Sequence, residues 1–460
     1  MIAMLHYLEQ LIASLWNRLQ GRRGAKAEGQ GVTLGLQVSD EAVTKRRIGI
    51  SHGRRTMHIA VLGKTGGGKS FLLRHMAQQD IASGSGFLYF DLHGDARPFL
   101  LQTIAAREGS LQKHLHEKLV VIAPADREFS VGLNPLEQAE ASFVRITEFS
   151  QILKRRWGLE HFGARTEELL RNSLFVLSAN GLTLLELAPL LTHPGFRAQC
   201  LKKTPNPEVR DYFEFRYNTA SEPMQATMRE PILNKTSAFT ADPSFRHIVG
   251  QPKSTFSVTE AMDEGQWIIV DLPKGELGEQ AVTLGSLIFT VGKNALFSRT
   301  KRTLFTIYVD EVQNFLAHDA GIETVLSEAR KFGVSVVSAN QFLGQYPEGM
   351  RTAILSVGTH IFFQLSSLDA VTIAQALDGG KPLAERLKNL PHRHFVVKSG
   401  ADHWHEGYTT AVDDPKANVE DLLTRVRAYR ARPRAVVEAE IAERHAALTR
   451  TTDTALHEWE

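Results

Sequence analysis

The chain has 460 residues, 43% of them hydrophobic and 23% charged, with a net charge of +2. That length predicts two or three folding units and enough apolar residues for a large core. Near-neutral charge neither demands nor excludes a polyanionic partner, the single Cys200 excludes an intrachain disulfide and fits a reducing compartment, and no run reaches the ~20 apolar residues that span a bilayer.

In residues 1–16, Ile2, Leu5, Leu8, Ile12, Leu15 and Trp16 recur at helical spacing, followed by Arg18, Arg22, Arg23 and Lys26. This reads as an amphipathic helix that packs on the protein's own surface, with an anionic membrane or a partner as the alternative. Its charges follow the apolar stretch, unlike those of a signal peptide. The expected location is cytoplasmic, with this helix the one candidate for peripheral contact with the inner membrane. Glycine-rich residues 21–31 form a linker, and 32–37 and 47–50 are short strand candidates. Lys45, Arg46, Arg47, Arg54 and Arg55 make this lead-in basic, which reads as a solvated face or a phosphate-contacting rim.

The apolar run 58–62 predicts a buried parallel strand. It enters Gly63-Lys64-Thr65-Gly66-Gly67-Gly68-Lys69-Ser70, which satisfies the G-x-x-x-x-G-K-[ST] phosphate loop, and a helix is predicted over 70–79. Glycines let successive N–H groups point at an anion, Lys69 supplies charge for the β- and γ-phosphates, and the Ser70 hydroxyl can ligate Mg²⁺. The helix adds its positive dipole end. This pattern points to a nucleoside triphosphate and Mg²⁺; the bland alternative is a glycine-rich turn that binds nothing.

Residues 86–91 are a second buried strand, ending in Asp91-Leu92-His93-Gly94-Asp95, and 119–122 a third. Across 137–250 strand signals give way to helical periodicity. The clearest helix is 166–180, with Thr166 as its cap, Glu167 and Glu168 in its first turn and Gly181 closing it. Strands resume at 267–271, 304–311, 334–339 and 360–365, alternating with helices over 282–296 and 322–332. Apolar strands alternating with helices predict a parallel α/β sheet.

Asp310 ends an apolar strand, where a Mg²⁺-ordering carboxylate sits, and Glu311 beside it is the candidate general base. Gln341, at the end of the next strand, is placed to read the γ-phosphate. Arg330, late in the intervening helix, suits an arginine finger for a neighbouring subunit; neutralising Glu328 or a helix C-terminus is the competing role. His392, His394, His403 and His405 read as a polar hairpin face, with a metal site as the alternative. Arg425, Arg427, Arg430, Arg432 and Arg434 read as a solvated or disordered basic tail, with nucleic-acid or membrane contact as the alternative.

These pieces in this order resemble the HerA–FtsK superfamily of ring-forming ATPases, above all the motor domains of type IV secretion and conjugative coupling proteins and HerA-like DNA translocases. The likeness rests on HIAVLGKTGGGKS at 58–70, FDLHGD at 90–95, LNPL at 133–136, YVDEVQ at 308–313 and EARKFGVSVVSANQ at 328–341. It implies a RecA-like P-loop NTPase fold with an all-α inserted domain, working as a homo-hexamer around DNA with ATP at subunit interfaces. It makes Lys69 and Ser70 phosphate and Mg²⁺ contacts, Asp310 the Mg²⁺-side acid, Glu311 the base, Arg330 the trans finger and Gln341 the γ-phosphate sensor. A secretion channel, relaxase or nuclease is the implied kind of partner. Membrane-anchored members begin with transmembrane helices where this chain has residues 1–16, and 31–56 is short for the N-terminal barrel of HerA.

The expected organisation is therefore an N-terminal helix and linker (1–30), the first half of the NTPase domain (31–136), an all-α insertion (137–250), the second half (251–412) and a helical basic tail (413–460). A DNA translocase is the leading expectation. A motor for protein substrates and a nucleotide-gated regulatory partner of a nuclease or defence complex are the alternatives.

Overall fold

The computed structural model describes residues 31–108, 114–137, 143–156, 158–313 and 321–457. The helix expected over 1–16 lies outside them. The strands are β1 (Gly31–Ser39), β2 (Ala42–Ser51), β3 (Ile59–Leu62), β4 (Gly86–Asp91), β5 (Leu119–Ile122), β6 (Phe129–Ser130), β7 (Trp267–Asp271), β8 (Phe305–Asp310), β9 (Val334–Asn340), β10 (Thr359–Phe362), β11 (His394–Ser399), β12 (His405–Tyr408) and β13 (Arg432–Pro433). Eleven of them form one sheet in the order β2-β1-β12-β11-β10-β3-β9-β8-β4-β7-β5, and β6 pairs with β13 apart from it.

From β10 to β5 every pairing is parallel. These strands are apolar and almost wholly buried because helices cover both faces. Alternate residues feed different cores: Leu62 and Phe90 join one apolar cluster, Val61 and Tyr89 the other. The second cluster packs the sheet against α1 (Lys69–Ser83) and α2 (Ala96–Glu108) through Leu72, Met76, Leu100 and Ile104. The first runs on without a break into Leu170, Leu174, Leu177 and Phe213 of the helical block. Between β6 and β7 every described element is helical, from Phe143–Arg156 to Val258–Asp263.

The 31–56 segment is neither loop nor barrel. It is an antiparallel hairpin, β1–β2, that β12 and β11 join to β10. The helix expected over 166–180 runs Ala164–Ala179, so Thr166 lies buried inside its first turn and Gly163 takes the cap position. Gly181 closes it as expected: its N–H donates to the Ser178 carbonyl at 3.0 Å and Leu182 N–H to Leu177 at 2.9 Å, with Gly181 at φ 65°.

Two basic stretches differ from expectation. Arg427 pairs with Asp126 at 2.7 Å, Arg430 donates to the Glu117 carbonyl at 3.1 Å, Arg432 pairs with Glu440, and Arg434 donates to the Pro124 carbonyl at 2.5 Å. With Leu422 and Val426 buried on the sheet, Arg427, Arg430 and Arg434 fasten helices Glu420–Arg430 and Arg434–His457 to the body, while the Arg432 pair lies within the segment itself. The described part of this segment is not a solvated tail.

Arg55, read as part of a basic rim, is fully buried. Its guanidinium grips both Asp80 oxygens at 2.6 and 2.7 Å and donates to Thr306 Oγ1 at 2.8 Å and Tyr308 Oη at 3.0 Å, while Tyr308 donates to Asp80 at 2.6 Å. Because Asp80 lies on α1 and Thr306 and Tyr308 on β8, the cluster ties those two elements together. Arg55→Ala leaves Asp80 buried and uncompensated, so unfolding free energy by urea titration should fall by about 3–5 kcal/mol. Replacing both charges with apolar residues of similar volume should recover most of that loss.

Candidate functional site

The glycine-rich loop at 63–68 leaves the carboxyl end of β3 and enters α1. Its path is set by the buried ring of Phe363, just past β10. A Cβ at Gly63 would come within 2.6 Å of the Phe363 Cβ, and one at Gly68, which is also at φ 110°, within 3.0 Å of its ring. Two backbone bonds anchor the start of the loop: Gly63 N–H to the Asn340 carbonyl at 3.2 Å and Lys64 N–H to Gln364 at 2.9 Å. Lys69 curls back, its Nζ donating to the Gly63 and Lys64 carbonyls at 2.7 and 3.2 Å. Burial lowers its pKa, opposed by the nearby charges of Asp310 and Glu311.

Ser70 Oγ donates to Asp310 Oδ2 at 2.5 Å, joining the first turn of α1 to the end of β8. Burial pushes the Asp310 carboxyl up, against the lowering effects of the Ser70 bond, His93 and Lys69. A buried carboxylate and a hydroxyl that converge at the edge of a phosphate loop are the hard oxygen donors Mg²⁺ takes, so these residues fit the expected ion.

Glu311 follows at φ 52°, a left-handed conformation rare for a non-glycine residue. The kink turns its side chain to the loop side. Gln341 Nε2 donates to Glu311 Oε1 at 2.7 Å, and Thr65 Oγ1 donates to Gln341 Oε1 at 3.1 Å. Gln341 therefore spans the gap between the phosphate loop and the candidate base. This follows from sheet order, since β9 lies between β3 and β8.

Two supporting groups escaped the sequence reading. Gln313 donates to Glu311 Oε2 at 3.4 Å; Asn340, fully buried, donates to Gln313 at 2.5 Å and accepts from Tyr346 Oη at 2.5 Å. Asn340 was legible only as a polar residue at a strand end. The FDLHGD segment proves largely structural: Asp91 accepts from the N–H groups of His93, Gly94, Ala96 and Arg97, capping α2.

Arg330 is exposed in the turn Ala329–Phe332, just ahead of the start of β9, while Gln341 follows its end. The seven residues of β9 put it on the order of 20 Å from its own loop. Its side chain makes no hydrogen bond or ion pair among the described residues, and Glu328 pairs instead with Lys331 at 3.9 Å. The histidine pairs fall on β11, β12 and their flanks. His394 pairs with Glu406 at 2.6 Å, Glu406 also binds Arg386, and no metal-binding cluster exists among the described residues.

Left-handed backbone at a non-glycine residue costs of order 1–3 kcal/mol. Glu311→Asn, which tolerates that region, should raise unfolding free energy by about 1 kcal/mol while removing hydrolysis, checked by urea titration beside phosphate release. Asn340→Ala should lower kcat about tenfold and leave ATP affinity nearly unchanged, because it loosens the residues around Glu311 and not the phosphate loop.

The family "Helicase HerA, central domain" matches residues 45–159. No curated protein matches the sequence. Among solved structures, the bacterial conjugative coupling protein TrwBΔN70 with sulphate aligns at TM-score 0.59 and 16% identity over 83% of this chain and 91% of its own. The plasmid coupling protein TrwB with ADP and Mg²⁺ aligns at 0.56 and 15% identity over 84% and 91%. VirB4 of Thermoanaerobacter pseudethanolicus aligns at 0.55 and 16% identity over 84% and 97%. At such identity the likeness carries the fold, a RecA-like P-loop NTPase with a mostly parallel sheet flanked by helices. Together the family match across the phosphate loop and the shared fold bear out the resemblance to the HerA–FtsK superfamily of P-loop ATPases.

Proposed function

We propose that the chain is an ATP-hydrolysing motor that works as a homo-hexamer and moves DNA in conjugative or type IV secretion transfer, or in HerA-like DNA processing. The observation that carries the hydrolytic part is the convergence of Lys69, Ser70, Asp310, Glu311 and Gln341 at one edge of the sheet. Lys69 and the N–H groups of 63–70 hold the phosphates; Ser70 and Asp310 would hold Mg²⁺, which would supply positive charge to the phosphate oxygens. Glu311 takes the proton of the water that attacks the γ-phosphorus as the bond to the β-γ bridging oxygen breaks. Gln341 turns its Nε2 from Glu311 to donate to a γ-phosphate oxygen, so that arrival of the phosphate releases the Glu311 carboxylate.

The position of Arg330 supports a shared site: at the far end of β9 it is out of reach of its own loop and free to face the loop of a neighbour. Support for DNA as cargo comes from relatives, a plasmid coupling protein among them, and from the HerA match. The helical block, at 137–250 in this reading, is an insertion that decorates the motor without supplying catalytic groups.

Steady-state phosphate release at low salt, with and without double- and single-stranded DNA, tests the reading. Several-fold stimulation by DNA that disappears in Glu311→Gln is the expected result. Turnover indifferent to either DNA would move the assignment to a protein cargo, and no turnover at all to a nucleotide-gated partner. Mixing Lys69→Ala with Arg330→Ala subunits, each inactive alone, should restore part of the activity, because mixed interfaces pair an intact loop with an intact finger. If mixtures stay as inactive as their components, Arg330 is not a trans finger.

A further inference from the structure

A cleft of about 390 Å³ opens between the amino-terminal turns of α1 and α2, at the same edge of the sheet as the phosphate loop. Phe71 and Arg74 line it from α1, Phe99 and Gln102 from α2, and Val412 from the strap that follows β12. The strap is tied down by Gln78, whose Nε2 donates to the Asp413 carbonyl at 2.9 Å. Arg74 lies over the Phe99 ring, 5.7 Å from its centroid, and pairs with Asp95 at 3.6 Å across the mouth. The cleft thus has two aromatic walls, an aliphatic one and a charged rim.

Its position decides what it suits. Phe71 is the residue after Ser70, and α1 rises about 1.5 Å per residue, so Arg74 lies roughly 6 Å beyond Ser70 along the helix. In the proposed site a triphosphate would set its γ end at Asp310, Glu311 and Gln341, on the β8–β9 side, so its other end would leave over the first turn of α1, beside Phe71. Ligands of open α/β sheets bind outside the carboxyl ends of the strands, which is where this cleft lies.

We infer that this cleft is the seat of the nucleobase: the base of a ribonucleoside triphosphate stacks against Phe99 and Phe71, with the strap at Val412 closing over it. The inference rests on the phosphate-loop reading and adds residues that no motif marks. Aromatic faces recognise a flat base by stacking, with little dependence on its hydrogen-bonding edge. Arg74 contributes a cation beside the stack, and Asp95 and Gln102 supply polar atoms at the rim.

The test is calorimetric titration of the full chain with ATP and, separately, with inorganic tripolyphosphate, each with Mg²⁺. Tripolyphosphate engages the loop and has no base. Phe99→Ala should weaken ATP roughly tenfold or more and leave tripolyphosphate unchanged. Phe99→Leu and Phe71→Leu keep apolar volume while removing the aromatic face, so they should show the same selective loss if the alanine variant fails to fold. Lys69→Ala should weaken both ligands. ATP affinity unchanged in both leucine variants, or tripolyphosphate binding as tightly as ATP to the parent protein, would overturn the nucleobase seat. Lys69→Ala binding both ligands normally would instead bring down the phosphate-loop reading beneath it.

Discussion

The buried cluster of Arg55, Asp80, Tyr308 and Thr306 sets the frame on which the site depends. Ser70 and Asp310 must stand a hydrogen bond apart although 240 residues separate them, and each belongs to an element that also carries part of this cluster. α1 is pinned to β8 at a second point, near the opposite end from the loop, so the relative position of helix and strand is fixed twice. A charge pair is an expensive way to do this in an interior, and a hydrophobic contact of equal volume is often as stable. What the bidentate geometry adds is direction: a guanidinium locked on a carboxylate and two hydroxyls permits little sliding between helix and strand.

The site itself is a chain of polar contacts that crosses three neighbouring strands. Thr65 follows β3, Gln341 follows β9 and Glu311 follows β8, so adjacency in the sheet becomes adjacency of function. The chain continues through Gln313 and Asn340 to Tyr346, whose buried hydroxyl donates to Asn340 Oδ1. A polar network of this kind is stabilising only when all of its members are paired, and here the backbone kink at Glu311 is held in place by bonds at both carboxylate oxygens.

Much of this was legible in the sequence because it rests on local rules. The phosphate loop is a spacing, the parallel strands are apolar runs, and Asp310-Glu311 ends one of them. The elements that escaped depend on contacts distant in sequence. Arg55 looks like its basic neighbours Arg54 and Arg47 until Asp80, 25 residues on, and Tyr308, 253 residues on, are brought to it. The C-terminal arginines read as a tail because Asp126 and the carbonyls of Pro124 and Glu117 lie some 300 residues earlier. The β1–β2 turn was invisible for another reason: Asp40 and Glu41 both adopt positive φ, at 50° and 62°, without the glycine or asparagine that ordinarily announces such a hairpin. The cap was misplaced by three residues, at Thr166 instead of Gly163, because a glycine cap carries no side-chain signal.

Among the described residues no strand lies beyond β2, so the antiparallel extension ends at a margin where Lys45, Arg46 and Arg47 stand exposed in succession. An unpaired strand margin is a template on which a second chain can zip, and cations along it repel a like margin. Copies of this protein are thereby steered away from joining sheet to sheet at β2.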